Sequence, residues 1–308
     1  MVLLYGIPGD GPFELIADAL EEIRAPIVLL DQRRFAETDF ILQINNEGYE
    51  GEISIGHLSY PLSGFTGVYN RGVDFSMLLE NSKTDIDPLS CQRYTALFEM
   101  LHAWMESTTC AVVNKTSAMS SNASKPYQLK LIQPFFAVPD TVITNSVADV
   151  RAFESLSTGI IYKSASSVRS IVKTTTTKDN PALQSIHHCP TLFQQKLEGV
   201  NYRVHVVGEE VFAVKAVTDT VDYRYSHREG KETVLIPVEL DKDIHKKCIA
   251  LAKKLSLPFA GIDLFQTTEN RWFCFEVNPS PGFSYFESAT GQPIAAAVAR
   301  YLLSSTTS

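Results

Sequence analysis

Two acids and an amide near the end of the chain carry the sharpest chemical signal. The segments FAGIDLF (259–265) and WFCFEVN (272–278) read as β-strands, rich in aromatic and β-branched residues and separated by a short polar stretch. If a tight hairpin centred between Glu269 and Asn270 joins them, Asp263 lies directly opposite Glu276. Opposed residues of an antiparallel pair have Cβ atoms about 4.5 to 5.5 Å apart, where like charges repel. A divalent cation removes that repulsion. Strand side chains alternate, so Asn278 shares the face of Glu276, while Phe273, Phe275 and Val277 point to the other, apolar face. Three hard oxygen ligands suit Mg2+, which keeps its remaining positions for water and phosphate oxygens. Acids on adjacent strands also commonly just face water. Because Glu269-Asn270 is not an ideal turn, a three-residue loop would offset the pair, so spacing alone leaves both arrangements open.

A second hairpin, YRVHVV and VFAVKA around Gly208 to Glu210, adds positive charge. With a three-residue loop, Arg203 falls opposite Lys215, and His205 shares the face of Arg203. Two cations side by side call for an anion between them, which phosphate satisfies; a solvated surface face is the alternative. His187-His188-Cys189 has ligand chemistry, but adjacent loop residues rarely converge on one ion and no fourth ligand stands out.

The elements that must position these residues are legible in outline. Val2 to Tyr5 and Ile27 to Leu30 read as strands around a helix with Phe13, Ile16, Leu20 and Ile23 in register. GVYNR (67–71) reads as a strand, and Tyr94, Leu97, Phe98, Leu101, Trp104 and Met105 form one stripe of a long helix. A short strand from Ala111 leads to Asn114, and Ser124-Lys125-Pro126 opens a helix with Ser124 as N-cap. IIYK (160–163) and SIVKT (170–174) bracket the turn SASSVR as a hairpin, and the polar run 174–190 reads as a mobile loop. Ile244, Cys248, Leu251 and Leu255 mark a helix, as do Ile294, Val298, Tyr301 and Leu302 near the end. These divisions suggest an N-terminal α/β domain over 1–110, a central lobe with the hairpin over 111–190, and a C-terminal lobe with the acids over 191–308.

The bulk composition narrows the function classes. The 308 residues are 44% hydrophobic and 20% charged, as in a folded globular protein. No apolar run approaches the ~20 residues of a membrane span, and the N-terminus lacks the features of a secretory signal; a cytoplasmic location is expected. Five cysteines without C-x-x-C spacing indicate neither a disulfide framework nor a zinc ribbon. A net charge of -8 argues against general affinity for nucleic acid or an anionic membrane.

The order of these pieces resembles the ATP-grasp superfamily, within it the RimK-type ligases and the peptide-cyclising ligases of the microviridin (graspetide) type. The resemblance runs from about Val112 onward through VVNKTSAMSSNASKPYQLKL, VPDTVITN, IIYKSASSVRSIV, LFQQKLEGVNYRVHVVGEEVFAVKA, VDYR, GIDLF and FEVNPSPGFSYFESATGQPIA. It implies an ATP-grasp fold of α/β class with an N-terminal α/β pre-grasp domain. Lys125 and Lys163 resemble the two lysines that hold the ATP phosphates, Gln195, Lys196 and Leu197 the strand that reads adenine, and Glu198 or Asn201 the ribose contact. Many members have Asp where Asn201 stands. Arg203 resembles the arginine that meets the γ-phosphate and acyl phosphate, and Asp263, Glu276 and Asn278 the Mg2+ ligands. Arg224 is a candidate contact to phosphate or the substrate acid, with Lys215 grouped beside it, and SASSVR stands where many members carry a glycine-rich lid.

The activity so implied is an ATP-dependent ligase that uses two Mg2+ ions, with Mn2+ able to replace them. It activates a carboxylate as an acyl phosphate for attack by an amine or hydroxyl. VYNR, VPDTVITN and VDYR are closest to the microviridin-type subgroup, which implies a ribosomal peptide substrate and ω-ester or ω-amide macrocycles. NPSPGFSYFE is closer to the wider RimK-type group, which implies joining an amino acid to a small carboxylate or a protein tail. A non-catalytic ATP-binding sensor is a third reading, and a homodimer is compatible with all three.

Overall fold

The computed structural model of the chain describes residues 1–46, 48–74, 78, 87–157, 159–164, 173–175, 181–218 and 233–304. The opening run VLLYG forms β1 (Val2–Gly6) with all five residues buried, as expected of a parallel strand covered on both faces. Helix α1 (Gly11–Glu22) follows, with a proline in the first turn, where its missing N–H is not needed. Phe13, Ile16 and Leu20 bury the inward stripe, whereas Ile23, expected on that stripe, is the C-cap and stays 54% exposed. Strand β2 (Ile27–Asp31) returns beside β1. A separate antiparallel sheet of β3 (Thr38–Asn45), β4 (Gly48–Ile55) and β5 (Leu58–Pro61) precedes β6 (Gly67–Asn70). Helix α2 (Pro88–Ser107) buries Leu97, Leu101, Trp104 and Met105 and leads to β7 (Ala111–Val113). The parallel sheet runs β2-β1-β6-β7, so it takes its last strand from beyond residue 110.

Helices α3 (Thr116–Met119) and α4 (Lys125–Ile132) lead to the second of the three larger sheets. Ser124 stands at the N-cap of α4, although its side chain makes no capping hydrogen bond. The second sheet comprises β8 (Thr141–Thr144), β9 (Ile160–Ser164), β10 (Lys173–Thr175) and β11 (Thr191–Gln195), antiparallel in the order β10-β9-β11-β8. Helix α5 (Val147–Ser155) contributes Val150 to one face, against Ile160 and Phe193. Leu183 and Ile186 join that cluster from a 3-10 helix over Pro181–His188. The expected mobile loop is therefore structured there, because an i, i+3 pair of apolar residues fits one 3-10 turn against the sheet. The segments 165–172 and 176–180, which hold all of the expected SASSVR turn except Ser164, lie outside the described residues.

The third sheet, in the order β14-β13-β12-β15-β16, is built from β12 (Gly199–Val207), β13 (Glu210–Val217), β14 (Val234–Val238), β15 (Phe259–Thr267) and β16 (Trp272–Asn278). Its even-numbered residues on β12 and β15, Val204, Val206, Ile262 and Leu264, pack with Cys274 and Val277 against Ile244, Cys248 and Leu251 of α6 (Lys242–Lys254). Each such fully buried side chain stabilises by about 1.5 to 3 kcal/mol, which fixes the register of every strand and sends the odd-numbered residues to the opposite face. After α7 (Ser284–Thr290), α8 (Ile294–Leu303) packs Ile294, Val298 and Leu302 against Leu4, Phe13 and Ile16, so the chain end closes the first sheet. Gly67 permits that closeness, since a Cβ there would stand 2.3 Å from the Leu302 carbonyl oxygen.

Candidate active site

Three strands of the third sheet bring the chemical residues into rows. Arg203 on β12 pairs with Asp263 on β15, which pairs with Glu276 on β16. The next row holds His205, Gly261 and Asn278, and the row on the other side holds Asn201, Phe265 and Phe273. Directly paired residues share a sheet face, so Asn201, Arg203, His205, Asp263, Glu276 and Asn278 all project to the face opposite α6.

Asp263 stands opposite Glu276 as expected, but two departures from the simple hairpin cancel to put it there. The β15–β16 loop has three residues, Thr268 to Asn270, closed by Thr267 N–H donating to Arg271 O at 2.9 Å. Asn270 takes the left-handed conformation there (φ 61°), which asparagine tolerates better than most residues. That loop shifts the pairing by one residue, so that Phe265 faces Phe273 and Leu264 faces Cys274. A bulge between Asp263 and Leu264 then restores the pairing, with Phe275 as the extra residue. The expected apolar face is corrected accordingly. Cys274 and Val277 enter the core, whereas Phe273 lies on the face of the acids, and the Phe265 and Phe275 rings are 5.4 Å apart.

The charge pairing expected between Arg203 and Lys215 does not occur. The β12–β13 loop has two residues, because Val207 pairs with Glu210, and Gly208 supplies the positive φ of 57° that such a turn needs. Arg203 therefore pairs with Val214, and Lys215 pairs with Tyr202 on the opposite face. Arg203 is buried and donates from Nη1 to Asp263 Oδ1 at 2.8 Å and from Nε to His205 Nε2 at 3.3 Å. Its guanidinium carbon lies 5.8 Å from the centre of the Phe286 ring. Gly261 makes room for it, since a Cβ there would be 2.2 Å from Arg203 Nη2. His205 is wholly buried; burial first and the Arg203 charge second hold its imidazole well below the usual range, against a weaker opposing bond to the Gly282 backbone. The ring is neutral, as an acceptor for Arg203 must be.

Asp263, Glu276 and Asn278 offer a hard, all-oxygen donor set, and Asp263 is mostly sheltered, with 15% of its side chain exposed. Among the described residues no three His, Cys, Asp or Glu side chains converge on one point, so the amide of Asn278 has to complete any protein cage. Two carboxylates and an amide fit Mg2+, whose remaining positions water and phosphate fill.

The remaining candidates sit on neighbouring elements. Lys163 on β9 pairs with Leu192, and Ile161 with Gln194, so Lys163 projects away from the face covered by α5 and the 181–188 helix. Lys125 is the first residue of α4, one turn before Gln128. Gln128 is buried and pairs with the edge of β16 like a strand: its Nε2 donates to Val277 O at 2.7 Å, and its Oε1 accepts from Val277 N at 3.1 Å. Residues i and i+3 share a helix face, so Lys125 lies on the side of α4 that packs on β16, the strand of Glu276 and Asn278. The N–H groups of Gln195 and Lys196 donate to Asp140 O and Gly159 O, both at 2.9 Å. Leu197 and Glu198 lie in the link from β11 to β12. Arg224 and its VDYR segment lie outside the described residues. Asn114 is a buried hub that sequence reasoning missed. Its Nδ2 donates to Phe259 O at 2.7 Å and to Pro279 O, and its Oδ1 accepts from Phe259 N at 3.1 Å.

Comparison with known proteins bears on the family and the fold that carry these residues. The model of the RimK-like ATP-grasp domain matches residues 128–302. A probable alpha-L-glutamate ligase of Cellvibrio japonicus is 33% identical over 114 residues, 36% of this chain and 36% of that protein. One of Pseudoalteromonas translucida is 33% identical over 106 residues, 34% of each. The chain thus aligns with little over a third of the length of these relatives. Among solved structures, the ATP-grasp ligase PsnB, complexed with a phosphomimetic variant of its minimal precursor, Mg and ADP, superposes with a TM-score of 0.81 at 22% identity, over 98% of this chain and 97% of that one. The macrocyclase MdnC of Microcystis aeruginosa MRC, bound with precursor peptide MdnA, gives 0.79 at 22% identity over 98% and 99%. At such identities the likeness is one of fold, and at 98% of this chain it takes in the N-terminal parallel sheet as well as the antiparallel ones. No helix among the described residues is long and apolar enough to cross a membrane. With the matched domain extending from α4 to α8 over more than half its length, the chain belongs to the RimK-like ATP-grasp family.

Proposed function

We propose that the chain is an ATP-dependent ligase that converts a carboxylate to an acyl phosphate and passes the acyl group to an amine or hydroxyl. The observation that carries this reading is the row Arg203–Asp263–Glu276 with Asn278 beside it, a fixed cation next to hard metal ligands on one face. Bound Mg2+ would neutralise phosphate charge and orient the γ-phosphoryl group, held by Asp263, Glu276 and Asn278.

The chain's own groups do the rest. Lys163 and Lys125 offer long-stemmed cations to the phosphates. With the Gln195 and Lys196 N–H groups already engaged, an adenine edge would meet the Leu197 N–H and the Lys196 carbonyl, with Glu198 or Asn201 at the ribose and Phe265, paired with Asn201, as apolar surface. Arg203 faces the transferring group, and its bond to neutral His205 keeps its orientation. A carboxylate oxygen attacks the γ-phosphorus and breaks its bond to ADP. The nucleophile then attacks the acyl carbon and loses its proton, and inorganic phosphate leaves. Preorganised cations favour this sequence because negative charge moves between fixed positive groups.

The substrate reading is a peptide acid, supported by the precursor peptides held by the PsnB and MdnC structures that share this fold. A second reading, transfer of a free amino acid, is favoured by the alpha-L-glutamate ligase relatives. Incubation of 18O-carboxylate substrates with ATP and Mg2+ tests both. The expected outcome is ADP, one 18O in inorganic phosphate per bond, and loss of one water from a peptide that closes on itself. Added mass of an amino acid less one water selects the second reading, and 18O in AMP overturns the mechanism.

A further inference from the structure

We propose that Arg71, on the first domain, is a positioning residue for the metal site, acting through Ser280 on the orientation of Asn278. The inference rests on the metal–nucleotide reading above. Arg71 follows β6 at the carboxyl end of the parallel sheet, and its N–H donates to Tyr5 O at 2.8 Å, rooting it between β1 and β6. Strand order reverses between these two strands, the place where α/β sheets open their crevice. The guanidinium lies beside the buried Tyr69 hydroxyl and has two further partners. Its Nε meets Asp10 Oδ2 at 2.5 Å, and its Nη1 donates to Ser280 Oγ at 3.1 Å.

Ser280 transmits the contact, because its backbone N–H donates to Asn278 Oδ1 at 3.0 Å. An amide oxygen held by one N–H donor presents Oδ1 rather than Nδ2 to the site and keeps a second lone pair for a cation. Groups that orient a ligand's first coordinating atom commonly change metal affinity by 10- to 100-fold. The loop around Ser280 is stiff, since Pro279 and Pro281 fix φ on either side. It is also anchored within by Asn114, which donates to Pro279 O. Asn114 sets the backbone path; Arg71 is the contact that reaches the residue bonded to the ligand itself. With 17% of the Arg71 side chain and 36% of the Asp10 side chain exposed, the ion pair between them is partly screened and adds little stability of its own.

The test is Mn2+ titration followed by EPR on the full chain in the presence of ADP, with metal-free ADP affinity measured in parallel. Arg71→Gln and Ser280→Ala should each weaken Mn2+ binding about 10-fold, Arg71→Lys should weaken it less, and metal-free ADP affinity should not move. The double variant should be no weaker than Arg71→Gln alone, the non-additivity expected of residues acting in series. Additive losses, or Mn2+ binding within about twofold of wild type in Arg71→Gln, overturn the proposal. Should Arg71→Gln not fold, Ser280→Ala, a change at an exposed residue, decides it. Glu276→Ala separates the two levels. If it binds Mn2+ as wild type does, the metal site itself is wrong; if it loses Mn2+ while the Arg71 and Ser280 variants keep it, only the positioning role is wrong.

Discussion

The two larger antiparallel sheets hold their charges in different ways. On the third sheet, Arg203, Asp263 and Glu276 stand on three consecutive strands, braced by a buried ion pair and by the α6 core beneath. On the second, Lys163 sits one strand in from the edge strand β10, opposite an apolar residue and on a flexible four-carbon stem. Metal ligands must converge within tenths of an ångström, so their backbone needs a register that cannot slip. A lysine that follows a phosphate needs only reach. The difference teaches that substitutions on the braced sheet should act on chemistry and those on the second sheet on affinity.

The largest effect should come from Glu276→Ala, with Mg2+-dependent ATP turnover falling by orders of magnitude in a coupled ADP-release assay. Comparable turnover in that variant would break the contrast. Gly261→Ala is next. The added methyl group cannot coexist with the Arg203 guanidinium at 2.2 Å, so the kcat should fall at least about 10-fold from misplacement alone, and a folded variant with wild-type kcat would contradict the bracing. Arg203→Ala should cost far more than Lys215→Ala, because the two project to opposite faces; equal losses would restore the cationic pair that the two-residue turn rules out.

Lys163→Ala should raise the ADP dissociation constant roughly 10-fold, the size of one charge-assisted contact, with a smaller change in kcat. Unchanged affinity in a fluorescent-nucleotide assay would remove Lys163 from the phosphate site. The last effect is on stability rather than activity, and it concerns pH. Burial lowers the His102 imidazole to about 4, and His205 is held low as well. A ring whose folded value lies below its unfolded value near 6.5 binds more protons when unfolded, so its contribution is complete above about pH 6.5 and is lost as pH falls toward 4. The loss at His102 by pH 4 is on the order of 2 kcal/mol after allowance for solvent screening, and Tm should fall across that window in thermal melts. His102→Gln should flatten the slope.

The architecture was legible because core periodicity announces itself. The stripes of α1, α2, α6 and α8 and the strands of the hairpins follow directly from apolar spacing. Loop lengths were not legible, and they decided the faces. One residue fewer between Val207 and Glu210 turned Lys215 away, while one residue more after Thr267, offset by the bulge at Phe275, left Asp263 opposite Glu276. Bulges arise from packing on both faces at once, which a single strand does not reveal. Gln128 and Asn114 escaped notice for a related reason. Their amides satisfy backbone groups more than a hundred residues away, and no local pattern marks such a partner. Gly261 in GIDLF was the one readable trace, a glycine in a strand where a side chain from the neighbouring strand must pass.

Isothermal titration of Mg2+ with ADP into the wild-type chain and into Glu276→Ala tests the braced face most directly. Wild type should bind ADP more tightly with Mg2+ than without, and the variant should lose that enhancement while keeping its metal-free affinity for ADP. An enhancement that survives in Glu276→Ala would contradict the assignment of the Asp263–Glu276–Asn278 face as the metal–nucleotide site.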